Sequence, residues 1–348
     1  MKLVATLAVA CCALAGAAYG AVSSTDSTQV VLVTHDSFAV SKPVKQAFER
    51  QTGLELKILK TGDAGAALNR ALLTAGKPEG DVFFGIDNNL LTRALSNDLL
   101  VAYRPSGLSA VDRRFLLDPT HRLTPIDHGE VCLNYDKGWF TQRGLAPPRS
   151  LADLVRPAYK GLLVVENPAT STPGLAFMLA TVARYGESGW KAYWQKLREN
   201  RVLVTDGWEE AYEQRFSGAG GSSGNRPIVV SYASSPPAEV YYAGKKLAQA
   251  PTGVVLSSCF QQIELAGILR GARNPAGARK LVDFLLSPRF QSDMPLTMFV
   301  FPTRKNVPLP AVFRRFAPPV PHPLELPAGT IGANRDRWVK EWTSTVLR

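Results

Sequence analysis

Beyond its first twenty residues the chain lacks any apolar run long enough to cross a bilayer, so no helical membrane span is expected in residues 21–348. It also lacks the signatures of common active sites. There is no Gly-x-Ser-x-Gly elbow set between a strand and a helix, no Gly-x-x-x-x-Gly-Lys phosphate loop and no His-Glu-x-x-His pair. Histidine is scarce. The 4 present, His35, His121, His128 and His322, show no metal-ligand spacing. His128 borders an apolar segment and is expected to be structural. Cysteine is equally sparse, at 4, and Cys11 and Cys12 fall in the N-terminal apolar run. The remaining two, Cys132 and Cys259, fit either a disulfide or two buried thiols. No internal repeat is visible. These gaps argue against an enzyme and leave room for a binding protein.

The N-terminus is built for export. Lys2 carries the only early charge, Leu3 to Ala18 is apolar, and Ala18-Tyr19-Gly20 places small residues at a cleavage site before Ala21. Residues 1–20 are therefore expected to be a signal peptide, and the mature protein to be periplasmic or otherwise extracytoplasmic. Cleavage before Cys11 would instead leave a lipid-anchored chain. The eight apolar residues preceding it make a short leader for that route.

With 348 residues, 45% of them hydrophobic and 20% charged, the chain has globular composition and more length than one compact core usually holds. Two lobes are the natural reading. Removing Lys2 from 40 basic residues leaves 39 against 29 acidic ones, a mature net charge of +10. The basic residues are scattered, the densest groups being pairs such as Arg314-Arg315, so a solvated surface is expected rather than a nucleic-acid interface.

Along the chain, Val30 to Thr34, Leu54 to Leu59 and Asp81 to Phe84 read as strands, alternating with helices around Val44 and Phe48, Ala66 to Ala75 and Leu90 to Ser96. Gly85-Ile86-Asp87-Asn88-Asn89 reads as a loop. The alternation restarts with strands Leu162 to Val165, Val202 to Thr205 and Ile228 to Ser231, a helix Leu175 to Tyr185 and another from Glu209. Ser217 to Asn225, rich in Gly and Ser, reads as a surface insertion. Ile126 to Tyr135 and Ile263 to Leu269 are taken as strands crossing between lobes. Pro275 to Leu286 is expected to be helical, as is Thr330 to Val346, with Trp338 and Trp342 on one packing face. The fold class is α/β: two lobes, residues 28–127 plus 264–310 and residues 128–263. The C-terminal segment 311–348 is expected to pack its last helix on one lobe.

Polar segments collect where the strands end, which is where open parallel sheets bind ligands. Ser171-Thr172-Pro173-Gly174 carries a helix-start signal, with Pro173 suited to the first turn, so hydroxyls and free N–H groups could meet an anion there. An ordinary N-cap fits the same residues. Trp208 and Tyr232 follow two further strands.

In order and spacing, His35-Asp36-Ser37-Phe38-Ala39, Gly85 to Leu91, Ser171 to Leu175, Gly207 to Tyr212 and Ser231 to Pro236 resemble the thiamine-binding periplasmic proteins. The likeness runs from about residue 30 to residue 345. It implies the type II periplasmic-binding fold and a substrate-binding component of an ABC transporter, monomeric, without cofactor or metal. The implied ligand is thiamine, thiamine monophosphate or thiamine diphosphate, and the implied protein partner is the membrane permease. Ser171, with Thr172 beside it, Trp208 and Tyr232 would hold the phosphate end, Asp36 and Asp63 would lie near the cationic thiazolium, and Glu264 on the second crossing strand would be near or structural. The aromatic platforms depart from the family pattern. A stacking tyrosine is His35 here, a tryptophan after that loop is missing, a second tyrosine falls on Ala238 with Tyr241 and Tyr242 a turn later, and a late tryptophan aligns near Phe299. A thiamine precursor, another phosphorylated compound or a ferric complex is the alternative ligand. A thiaminase-like enzyme would need a reactive cysteine, and Cys132 and Cys259 sit in predicted strands.

Overall fold

A computed structural model describes residues 28–348. The expected signal peptide and Cys11 lie outside these residues. One lobe opens with β1 (Gln29–Thr34), α1 (Lys42–Thr52), β2 (Glu55–Lys60), α2 (Ala64–Leu73), β3 (Val82–Asp87), α3 (Leu91–Ser96) and the short β4 (Leu100–Val101). The chain then crosses on β5 (Thr124–Asp136). The second lobe contains α4 (Lys137–Gln142), β6 (Leu163–Glu166), α5 (Thr172–Glu199), β7 (Leu203–Thr205), β8 (Ile228–Tyr232) and α6 (Ser235–Tyr242). It returns on β9 (Thr252–Leu269) to α7 (Pro275–Leu285), α8 (Pro288–Thr297) and β10 (Phe301–Pro302), and ends in α9 (Ala311–Phe316) and α10 (Ala328–Val346).

The strands form one sheet in the order β2-β1-β3-β9-β5-β8-β6-β7, with β10 on β5 and β4 on β9. β1 pairs in parallel with β2 and β3, and β6 with β7 and β8, so each lobe has its own parallel unit. β5 and β9 lie antiparallel between them from Thr124↔Ala266 to Asp136↔Thr252. The two crossing strands expected from sequence are these, extended at their ends. Their register shifts between Pro125 and Asp127 and between Val131 and Leu133, two irregularities that bend the ribbon where the lobes diverge. The Cys132–Cys259 disulfide joins the ribbon across the lobes' junction. Of the two readings of these cysteines, the pair is the one realised.

Three sequence expectations need correcting. Gly85-Ile86-Asp87 is strand, not loop: β3 runs through it, wholly buried, by a register shift against β9 between Phe84 and Ile86. Gly85 has φ +110°, and a Cβ there would stand 2.7 Å from the His35 ring, so glycine lets strand and ring meet. The helix after Pro173 does not stop at Tyr185. It turns sharply at Gly186 (φ 67°, ψ 177°) and continues to Glu199, because Trp190, Trp194 and Leu197 bury a second apolar face. The last helix packs on both lobes rather than one. Its Trp342 meets Trp194 of α5 at 5.3 Å, while Thr92 of α3 donates to the Ala328 carbonyl and Arg93 pairs with Asp336.

Candidate functional site

Between the lobes lies a cleft of about 690 Å³. It is lined from the first lobe by His35, Asp36, Lys60, Asp63, Glu264 and Phe299, and from the second by Thr172, Trp208, Glu209, Tyr232, Glu239 and Tyr242. Eight of the nine residues singled out from sequence reach it. Ser171 does not. It is buried at the α5 N-cap, where its hydroxyl accepts from the Gly174 N–H at 3.5 Å and lies near the Asp63 carboxyl.

The geometry follows from strand ends, as expected. His35 and Asp36 leave β1, Asp63 caps α2 after β2, Thr172 follows β6, Trp208 follows β7 and Tyr232 closes β8. Asp63 is the centre of one cluster. Its Oδ1 accepts from the backbone N–H of Ala64 at 2.6 Å and Thr172 at 3.3 Å, and its Oδ2 from that of Trp208 at 3.0 Å. Two of these donors belong to the opposite lobe, so one carboxylate bridges the cleft. Burial raises its pKa, and the N–H donors and Ser171 act in the opposite direction. The Trp208 indole N–H donates to Ser231 Oγ at 2.9 Å, and the ring stacks on Tyr212 at 5.0 Å.

A second cluster is acidic. Glu264 pairs with Asp127 in register across β5 and β9, and burial pushes each carboxyl upward, with the Glu264 charge adding to the rise at Asp127. His35 Nε2 stands 3.6 Å from Glu264 Oε1. Burial first, then the charge of Lys60, lowers the His35 pKa to about 4, so the ring is neutral at pH 7. The Tyr232 phenol is pushed upward by burial and by the surrounding carboxylates and stays protonated, a donor.

At the mouth, Phe299 adopts the left-handed backbone region, φ 56°. Its ring lies 5.4 Å from Tyr242 and 6.0 Å from Tyr241, across from the other lobe. Tyr242 lines the cleft though Ala238, where the resemblance places a stacking tyrosine, presents only a methyl group. Lys60, Glu209, Glu213 and Glu239 are lining residues that sequence reasoning did not single out. Glu209 stood in the Gly-Trp-Glu-Glu segment and could have been found by its adjacency to Trp208. The Gly/Ser-rich segment reads in sequence as a surface insertion, yet Ala219, Gly220 and Gly221 line the cleft and the Gly220 N–H donates to Glu239 at 2.7 Å. The segment also spells Gly-x-Ser-x-Gly at Gly220 to Gly224. It is a turn, with Ser222 accepting from the Gly224 N–H, and no helix follows it.

Two α/β lobes hinged on a pair of long strands around such a cleft define a solute-binding protein. Residues 78–318 match the model of the bacterial extracellular solute-binding proteins. A thiamine-binding periplasmic protein of Escherichia coli is 32% identical over 92% of this chain and 94% of its own length. One of Brucella suis is 32% identical over the full length of both. The solved structure of a periplasmic thiamin binding protein superposes with a TM-score of 0.79 at 30% identity, over 92% of this chain and 96% of that one. The chain belongs to the thiamine-binding periplasmic proteins. Membership places it outside the cytoplasm, in the periplasm, and in a family of binding proteins rather than enzymes.

Proposed function

We propose that this protein captures thiamine, or one of its phosphates, in the cleft and hands it to an ABC permease as the lobes part, without altering it chemically. The observation that carries this reading is the pairing of an acidic floor with aromatic walls. Glu264, Asp36 and Asp63 suit the fixed positive charge of a thiazolium, and Phe299, Tyr242 and Trp208 offer ring faces at the rim. Asp36, His35, Asp63, Thr172, Trp208, Tyr232, Glu264 and Phe299 are proposed to contact the ligand. Ser171 is proposed to act through Asp63, which it orients. His35, neutral and with Nε2 lacking a close partner, can meet a polar atom of the pyrimidine. Closure requires only that the ligand favour the closed arrangement, since the ribbon of β5 and β9 supplies the hinge.

Isothermal titration with thiamine, its mono- and diphosphate and its pyrimidine precursor tests the assignment. Saturable heat with thiamine or a phosphate is expected. No heat and no thermal shift with any of the four would remove it. Thiamine incubated with the purified protein is expected to be recovered intact, and cleavage would overturn the non-enzymatic reading.

A further inference from the structure

The Asp87-Asn88-Asn89 segment lies within one of the stretches that carry the resemblance, yet none of its side chains lines the cleft. Its side chains converge instead on one residue of the second crossing strand, Gln262. Asp87 Oδ1 accepts from the backbone N–H groups of Asn89 and Leu90, both at 3.0 Å. Its Oδ2 accepts from Asn89 Nδ2 at 3.0 Å and from Gln262 Nε2 at 3.2 Å. Asn88 grips β9 on either side of Gln262. Its Nδ2 donates to the Gln261 carbonyl, and its Oδ1 accepts from the Ile263 N–H. Gln262 itself is buried.

The same Gln262 Nε2 donates to Thr172 Oγ1 at 3.0 Å, in the lobe opposite Asp87. The amide is not free to turn over. Reversed, its oxygen would face Asp87 Oδ2, and a carboxylate ringed by the Asn89 and Leu90 donors has no proton to give it. Asp87 therefore settles the direction of the next bond. Because Thr172 Oγ1 receives a hydrogen from Gln262, its own hydroxyl hydrogen must point elsewhere, and among the described residues it meets no acceptor. Thr172 borders the cleft, so that hydrogen is offered to whatever binds there. A phosphate oxygen takes such a bond about twice as strongly as a neutral hydroxyl does.

Resting on the reading of the cleft as a site for thiamine and its phosphates, we infer that Gln262 is a positioning residue: held by Asp87, it fixes the Thr172 hydroxyl as a donor into the cleft and so raises the preference for the phosphorylated ligand. The bonds run from the first lobe through the crossing strand to the second, which gives the Asp-Asn-Asn segment a part in recognition although it touches no ligand.

Isothermal titration at pH 8 with thiamine and thiamine monophosphate reads this out. That pH lies above the value of about 7 to which burial, opposed by the bonds from Asn89 and Leu90, raises Asp87, so its oxygens only accept. In Gln262→Met, similar in size but without the amide, the ratio of monophosphate to thiamine affinity is expected to fall about tenfold, a usual loss for one hydrogen bond to a charged acceptor. A double-mutant cycle separates aiming from packing: with Thr172→Val already in place, Gln262→Met should leave the ratio where it is. Should Gln262→Met fail to fold, Thr172→Val and Thr172→Ser decide, the first expected to lower the ratio by a similar factor and the second to keep it. An unchanged ratio in Gln262→Met or in Thr172→Val, or a further equal fall when the two are combined, would overturn the inference. So would a wild type that binds thiamine but not the monophosphate. Each of these results leaves the thiamine reading intact, whereas failure of both ligands to bind the wild type would remove the reading beneath it.

Discussion

His128 packs flat between Phe115 and Phe301, at ring distances of 4.4 and 5.4 Å, with its Nδ1 buried and unbonded. Burial first, then the charge of Arg114, lowers its pKa to about 3, against a smaller opposing effect of Asp112. The sign follows directly. Because the folded pKa lies below the ordinary 6.5, the unfolded chain takes up a proton between pH 6.5 and about 3 that the folded chain refuses. Stability is therefore lost as pH falls through that window, by up to about 1.4 kcal/mol per pH unit for one such group. His128→Phe, which keeps the stack, is expected to show a shallower loss of urea-unfolding free energy between pH 7 and 4.5 than the wild type. Equal slopes would refute the assignment. The sequence marked this residue as structural from its place beside a crossing strand. It could not mark Asp63 as a bridge, since the two donors from the other lobe lie 109 and 145 positions away.

The β5–β9 ribbon was legible as two apolar runs, because strands buried between lobes need apolar residues on both faces. The extent of β3 and the second half of α5 were not. A glycine and an acid inside β3 look like a turn until β9 covers them, and the Gly186 bend looks like an end until Trp190 and Trp194 find their pocket. At this scale the disulfide is the strongest single restraint. It closes a loop of 127 residues, worth about 4–5 kcal/mol on loop-closure grounds, with 2–5 kcal/mol the usual loss on removal. Cys132→Ser combined with Cys259→Ser is expected to lower the free energy of unfolding by that amount and so to shift the denaturation midpoint downward. A reductant should reproduce the effect in the wild type and leave the double variant unchanged. An unshifted midpoint in the double variant would deny the ribbon this role.

The lobes touch through backbone as well as side chains. Ala66 N–H donates to the Thr170 carbonyl across the cleft at 2.8 Å, and a Cβ on Gly65 would come within 2.6 Å of that same oxygen. Gly65→Ala should therefore wedge the lobes apart at the point where they close. The expected result is affinity about tenfold weaker, roughly 1.4 kcal/mol. Small-angle scattering should show a larger radius of gyration in the presence of ligand, with the thermal midpoint nearly unchanged because each lobe keeps its core. A normal affinity would mean that closure does not bring these residues together. α10 works at the same scale, spanning α3 and α5 from outside, with Trp338 donating to Glu187 and Trp342 packed on Trp194.

Local chemistry written in the order of residues settled the alternating strands and helices, the strand-end position of the site and the crossing segments, because period, caps and apolar runs are properties of neighbours in the chain. What depends on distant segments meeting was settled only by the folded chain. The disulfide was chosen over two free thiols, Asp63 was placed among donors of the opposite lobe, a Gly/Ser segment was brought to the cleft wall, and Tyr242 was set beside Phe299. A side chain's charge, partner and exposure come from whatever packs against it, and that partner is not written beside it in the sequence.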